Sequence, residues 1–148
     1  MRVIARIAAV VLAAVGALHA VWIVSPWPLT TWRDMARTVV GVEGEAGLPP
    51  TWMVLAVAFL LLVAAYVVAV RTQWLPRVGP DWVYRSGVWV IAAVLAFRGV
   101  VSLVVSLGGL VDAPAEFTYW DIRVYSPLCL ALALGAVAAA RLPTTSQP

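Results

Sequence analysis

The sequence predicts an all-α membrane protein, a bundle of four transmembrane helices with a short amphipathic helix in the first outer loop. Of the 148 residues, 64% are hydrophobic and 11% are charged, whereas soluble domains are about 45–50% apolar and about 25% charged. Four apolar runs are each long enough to cross a bilayer, which takes about 20 residues. Because backbone polar groups must be paired within lipid, runs this apolar are expected to be helices.

The four spans are predicted at about residues 7–24, 52–70, 82–107 and 121–140, within a single domain of residues 1–141. Residues 142–148 form a polar tail that we expect to be disordered. Arg2 and Arg6 before an apolar core resemble a signal peptide, but the apolar run continues past Ala20 to Val24. This continuation favours a first helix that remains in the protein.

The arginines predict the orientation, since cytoplasmic loops of membrane proteins carry the excess of basic residues. With the N-terminus inside, six arginines lie on the cytoplasmic side, namely Arg2, Arg6, Arg71, Arg77, Arg85 and Arg141. Three lie on the opposite side, namely Arg33, Arg37 and Arg123. The bias predicts a multi-pass protein of the plasma membrane with both termini in the cytoplasm.

The first outer loop contains a helical pattern of apolar residues. Its apolar side chains recur with helical spacing at Trp32, Met35, Ala36, Val39 and Val40. Thr31 followed three residues later by Asp34 is a variant of the capping box, and Gly41 is a natural end of the helix. We expect a short amphipathic helix near the membrane surface, either lying on the lipid or covering the ends of the long helices.

Arg98 lies in the middle of the third apolar run, where a guanidinium costs at least about 2.5–3.5 kcal/mol on insertion scales. It should therefore face the interior of the bundle and bind polar groups of the first or last helix. Ser102 lies one turn from it on the same face. At a helical rise of about 1.5 Å per residue, polar groups of those helices lie at reachable depths. The candidate ligand-binding or polar-network residues are Arg98, His19, Tyr125, Asp121, Trp22 and Ser102.

Two interpretations of these residues remain open. In one, they line a small polar cavity that opens outward, with Arg98 as the anchor for an anion. In the other, they form a polar network that only joins the helices. Asp121 is more simply the N-cap of the last helix, with Tyr125 and Cys129 on the same face, and His19 is expected to bond a neighbouring helix.

Composition excludes several kinds of chemistry. The chain has one cysteine and one histidine, too few for a CxxC redox centre, a zinc site or a bis-His haem bundle. No catalytic residue, cofactor or metal is predicted. An acid–base set of His19, Asp121 and Tyr125 is conceivable but has no supporting motif. The arginines are dispersed, so the basic balance does not indicate nucleic-acid binding.

Three motifs carry a resemblance to a known family. They are His19 to Trp22 near the end of the first span, Phe97-Arg98-Gly99 in the third, and Asp121 to Leu130 (DIRVYSPLCL) in the last. Together they resemble the bacterial four-span membrane family known as domain of unknown function 3995. The segment after Trp22 departs from the glycine-rich turn of that family. The resemblance implies the four-span fold and the recurring polar residues, and it implies no activity.

Three classes of function follow. We expect a membrane protein that binds a small molecule, a lipid or an anion around Arg98. The alternative is a small transporter, for which a proton-coupled mechanism is disfavoured because no Asp or Glu is predicted inside a span. A membrane enzyme is the third class. Membrane lipid is the expected partner, nucleic acid is not one, and a homo-oligomer remains open.

Overall fold

A computed structural model describes residues 1–143, and these are helical with no strand. Residues 144–148, which hold most of the expected tail, lie outside the described residues. The helices are α1 (Arg2–Val21), α2 (Trp32–Met35, continued by a π-helical turn Ala36–Val40), α3 (Thr51–Arg71), α4 (Asp81–Gly108) and α5 (Ala115–Ala140). A 3₁₀ turn covers Glu45–Gly47. The four long helices are apolar enough to cross a membrane, which confirms the predicted fold class.

Helix α5 begins earlier than residue 121, where the sequence pattern placed its start. Pro114 occupies the N-cap position with an extended backbone, and Ala115 opens the helix with Glu116 in its first turn. The first turns, Ala115–Trp120, carry polar and aromatic side chains, so hydrophobicity alone did not include them. Asp121 therefore lies inside the helix, and its predicted role as an N-cap is wrong.

The four long helices pack so that α1 contacts α3 and α5, while α4 contacts the same two helices. Helices α1 and α4 thus lie at opposite corners. Alanine and glycine line the contact between α1 and α5, and a Cβ added at Gly135 would overlap that of Ala8. Small residues of this kind allow helix backbones to approach closely, which is how helices associate in a bilayer.

Helix α4 is the least covered of the four long helices. In its most apolar stretch 17% of the residues are buried, against 28–39% in the other three. Its main contacts are with α5. A face that includes Val94, Phe97 and Val101 remains exposed.

Helix α2 is capped as its sequence predicts. The Thr31 Oγ1 accepts a hydrogen bond from the Asp34 backbone N–H at 3.1 Å and donates one to the Asp34 carboxylate at 2.7 Å. The hydroxyl of Thr30 donates to the same carboxylate. The helix ends at Gly41, whose φ of 84° is left-handed. The predicted helicity of Trp32–Val40 is confirmed.

The hydrogen bonds from Thr31 and Thr30 hold the pKa of the Asp34 carboxyl below its usual value. A depressed pKa in the folded state means that this carboxylate contributes stability above about pH 4. The contribution is lost as the pH falls through the lower pKa of the folded state.

Replacing Thr31 with alanine should loosen the first turn of α2, since loss of an N-cap costs a helix about 0.5–2 kcal/mol. Hydrogen exchange at the Asp34 amide should become faster. Thr30→Ala is the matched control, because Thr30 donates only to the carboxylate. Equal exchange in the two variants would contradict the capping role of Thr31.

Candidate functional site

The site is centred on the carboxylate of Asp121, which is completely buried between α4 and α5. Both of its oxygens lie 2.9 Å from the Ser102 Oγ. The Ser106 hydroxyl donates to Oδ2 at 2.6 Å and the Ser126 hydroxyl to Oδ1 at 3.1 Å. An ionised carboxylate only accepts hydrogen bonds, and three hydroxyls supply them here.

A π-helical turn, Asp121–Tyr125, determines which residues of α5 face this carboxylate. In such a turn the residue at i+5, rather than i+4, lies above residue i. Ser126 therefore reaches Asp121, and Tyr125 turns away to donate its hydroxyl to the Thr38 carbonyl of α2 at 3.2 Å. The prediction that Tyr125 shares the face of Asp121 at i+4 is wrong for this reason.

Gly99 allows α4 to approach α5 at the level of the site. A Cβ at this position would lie 2.9 Å from Leu130 Cδ2 and 3.1 Å from the Ser126 carbonyl oxygen. The absence of that Cβ lets the serines of α4, one and two turns beyond Arg98, reach the carboxylate on α5.

Arg98 forms an ion pair with Asp121, in which Nη1 lies 3.7 Å from Oδ1. Asp121 is one of the three partners that the sequence offers for Arg98, together with His19 and Tyr125. The Arg98 side chain is 48% exposed, whereas that of Asp121 is fully buried, so the expectation that Arg98 faces the interior is wrong. Among residues 1–143 the guanidinium makes no hydrogen bond, which leaves its five N–H donors without an acceptor in that part of the chain.

The exposed part of Arg98 lies in a groove of about 560 Å³ between α4, the loop before α5 and the end of α2. Ligand sites typically have volumes of about 300–1,000 Å³. The polar lining includes Ser102 and Ser106. The apolar side chains are Val40, Val94, Phe97, Val101, Val105, Val111, Ala113 and Phe117. The groove is thus a mostly apolar surface that includes one half-exposed cation, Arg98, and one carboxylate, Asp112.

His19 and Trp22, the other predicted site residues, lie apart from this groove. The His19 Nδ1 lies 2.8 Å from the Val15 carbonyl oxygen of its own helix, not of a neighbouring one. Its ring contacts that of Trp22 at 4.6 Å between centroids, and the Trp22 Nε1 donates to the Trp27 carbonyl. Neither residue contacts Arg98 or Asp121.

The sequence did not identify Ser106 and Ser126 as hydrogen-bond donors to the carboxylate. The signal for Ser106 was present, because it continues the stripe of Arg98 and Ser102 by one turn of α4. Ser126 had no such signal, since its placement depends on the π-helical turn. The apolar walls of the groove, such as Phe97 and Phe117, were not distinguishable from ordinary lipid-facing residues.

The position of Asp121 also bears on the function that the sequence disfavoured, a proton-coupled transporter. The expectation that no acidic residue lies inside a span is wrong, because Asp121 is a buried carboxylate within the candidate span Ala115–Ala140. In the part of the chain that the structure describes, no group of three or more His, Cys, Asp or Glu residues could hold a metal ion.

Comparisons with known proteins place this site within one family model. The model described as "Protein of unknown function (DUF3995)" matches residues 12–136. That range contains Arg98, Asp121 and the three serines. The comparison with curated proteins and that with solved structures each gave no match.

Proposed function

This chain belongs to the family of proteins of unknown function DUF3995, and we propose that it binds an anionic amphiphile in the groove around Arg98. The oxyanion of the ligand lies against the guanidinium, and its apolar part lies along α4. The family match supplies no activity, so the proposal rests on the geometry of the groove.

The half-exposed guanidinium of Arg98 is the observation that carries this proposal. Helix α4 ends at Gly108, so Arg98 lies about 15 Å below that end at the helical rise. A cation at such a depth is costly without compensation. Asp121 compensates for it in part, but the 3.7 Å separation is longer than a hydrogen bond. The remaining donors suit the two oxygens of a phosphate or carboxylate.

The walls of the groove support an amphiphile rather than a small inorganic anion. Val94, Phe97 and Val101 border Arg98 on the exposed face of α4. This is the helix that the other long helices cover least. An acyl chain along these side chains would cover apolar surface while its headgroup reaches the cation.

The bias of the arginines supports placing this groove in the outer half of a plasma-membrane protein. The groove lies beside α2 and the loop before α5, at the end of the molecule opposite both α1's start and α5's end. With both termini in the cytoplasm, as the positive-inside rule favours, the groove opens toward the outer leaflet.

A small transporter is the second candidate, and the buried carboxylate of Asp121 favours it. Ionisable residues within spans commonly mark substrate or proton pathways. Flux of the bound anion across vesicles that contain the protein would distinguish a carrier from a binding protein.

The test of the proposed function uses phosphatidylglycerol with a fluorescent acyl chain as the probe, in micelles of a neutral detergent. Phosphatidylcholine with the same chain and glycerol phosphate without a chain separate the contributions of charge and apolar part. The Arg98→Gln/Asp121→Asn double variant removes both charges together, so no buried carboxylate is left unpaired. The Asp121→Asn single variant is its matched control.

We expect the wild type and Asp121→Asn to bind phosphatidylglycerol in preference to phosphatidylcholine. The double variant should bind about tenfold or more weakly, as the loss of charge-assisted hydrogen bonds implies. Glycerol phosphate alone should compete poorly. Equal binding of the two lipids, or undiminished binding by a folded double variant, would overturn the proposal, and strong competition by glycerol phosphate would replace the amphiphile with a free anion.

A further inference from the structure

We propose that binding of an anion at Arg98 is accompanied by uptake of one proton by Asp121. This inference rests on the proposed function and adds the ionisation of the site to it. Three observations carry it. Arg98 and Asp121 form a pair of opposite charges, serines lie between the carboxylate and the groove, and the carboxylate is completely buried.

The charges of the Arg98–Asp121 pair balance, and Asp112 adds one further carboxylate to the lining of the groove. Arg98 carries one positive charge and the ionised Asp121 one negative charge. The nearby outer arginines have other contacts, since Arg37 pairs with Glu116 at 3.1 Å and Arg123 lies over the ring of Tyr119. An anion at Arg98 leaves the pair and its ligand together with one net negative charge in an apolar setting, which is unfavourable. A proton on Asp121 restores neutrality.

The serines can serve both states of the carboxyl group. A hydroxyl both donates and accepts, and its hydrogen can rotate. With Asp121 ionised, the hydroxyls of Ser102, Ser106 and Ser126 donate to it. When a proton from water adds to one carboxylate oxygen, that O–H donates to a serine oxygen, and the serine turns its own hydrogen elsewhere. The distances of 2.6–3.1 Å need no change of backbone.

The same serines connect the buried carboxylate with the groove. Ser102 and Ser106 both line the groove and both bond Asp121. A proton can therefore reach Asp121 through their hydroxyls although no atom of the carboxylate is accessible to solvent. Anion and proton enter from the same side.

Other ionisable groups near the carboxylate do not substitute for it. Arg98 on α4 remains a cation, and Tyr125 and Cys129 on α5 are the other titratable side chains that interact with Asp121. A phenol and a thiol are ordinarily uncharged below about pH 8. Asp112, on the loop between α4 and α5, lines the groove and is the carboxylate that a test must separate from Asp121.

The test measures phosphatidylglycerol binding between about pH 8 and pH 5, a range in which its phosphodiester keeps one charge. Linkage of one proton to binding raises the affinity of the wild type as the pH falls, by up to about tenfold per pH unit. Asp121→Asn imitates the protonated carboxyl, so its affinity should not depend on pH, and the affinity of the wild type should approach it as the pH falls. Asp112→Asn should keep the pH dependence.

A calorimetric titration of the wild type in two buffers of different ionisation enthalpy counts the protons directly. We expect one proton taken up per lipid bound. Binding without proton uptake, or a pH dependence that Asp112→Asn removes and Asp121→Asn retains, overturns the inference and leaves the proposed function standing. Absence of binding at every pH overturns the proposed function, and the inference falls with it.

Discussion

Replacing Asp121 with leucine should lower the free energy of unfolding by about 1–3 kcal/mol, because the buried hydroxyl of Ser126 loses its acceptor. The substitution leaves three hydroxyls without their acceptor and Arg98 without its counter-ion. Ser102 and Ser106 line the groove and Arg98 is half-exposed, so their lost contacts add less than those of a fully buried pair would. Unfolding by denaturant in detergent micelles measures this loss.

Two variants test whether the hydrogen bonds of Asp121, and not only its charge, stabilise the fold. Asp121→Asn keeps an oxygen that accepts from the serines, and it should lose much less stability than Asp121→Leu. Asp112→Leu removes an exposed carboxylate of the α4–α5 loop and should change stability little. If Asp121→Leu is as stable as the wild type, the carboxylate does not hold α4 and α5 together.

Replacing Gly135 with valine should be the second large effect. A Cβ at Gly135 already overlaps that of Ala8, and valine adds two methyl groups in the same contact. Helices α1 and α5 would have to separate, and overpacking of this kind typically costs about 1–3 kcal/mol. The loss should appear as a lower midpoint of thermal unfolding in micelles.

The matched control is Ala131→Val, one turn away on α5 at an exposed position. It adds the same side chain to the same helix without a neighbouring backbone. We expect a change of stability within about 0.5 kcal/mol, as for most surface substitutions. Similar losses in the two variants would mean that valine weakens α5 itself, and the close contact with Ala8 would not be the cause.

The fold could be predicted from the sequence because the length of the apolar runs decides it. Four apolar runs in a chain with few charges leave helices as the plausible solution, and Thr31 and Gly41 mark the ends of α2 through local chemistry. The start of α5 could not be predicted in this way. Its first turns at Ala115–Trp120 are polar and aromatic, so their helicity depends on the whole helix and not on hydrophobicity.

Part of the site could be predicted from the sequence. The energetic cost of a guanidinium in an apolar run singled out Arg98, and depth gave Asp121 as one of three candidate partners, with His19 and Tyr125. Ser126 is a partner of Asp121 because a π-helical turn places it, instead of Tyr125, beside the carboxylate. Ordinary helical spacing does not predict such a turn. His19 failed as a partner because its ring bonds the Val15 carbonyl of its own helix.

The Arg98–Asp121 pair joins two consecutive spans, and this arrangement constrains how the protein is made. Asp121 follows Arg98 by 23 residues, and at ribosomal rates of about 5–20 residues per second it is synthesised about one to five seconds later. During that interval the nascent third span holds its guanidinium without the carboxylate that neutralises it. The arrival of the fourth span lowers the cost of placing this guanidinium in lipid, so the two spans are expected to enter the bilayer as a hairpin.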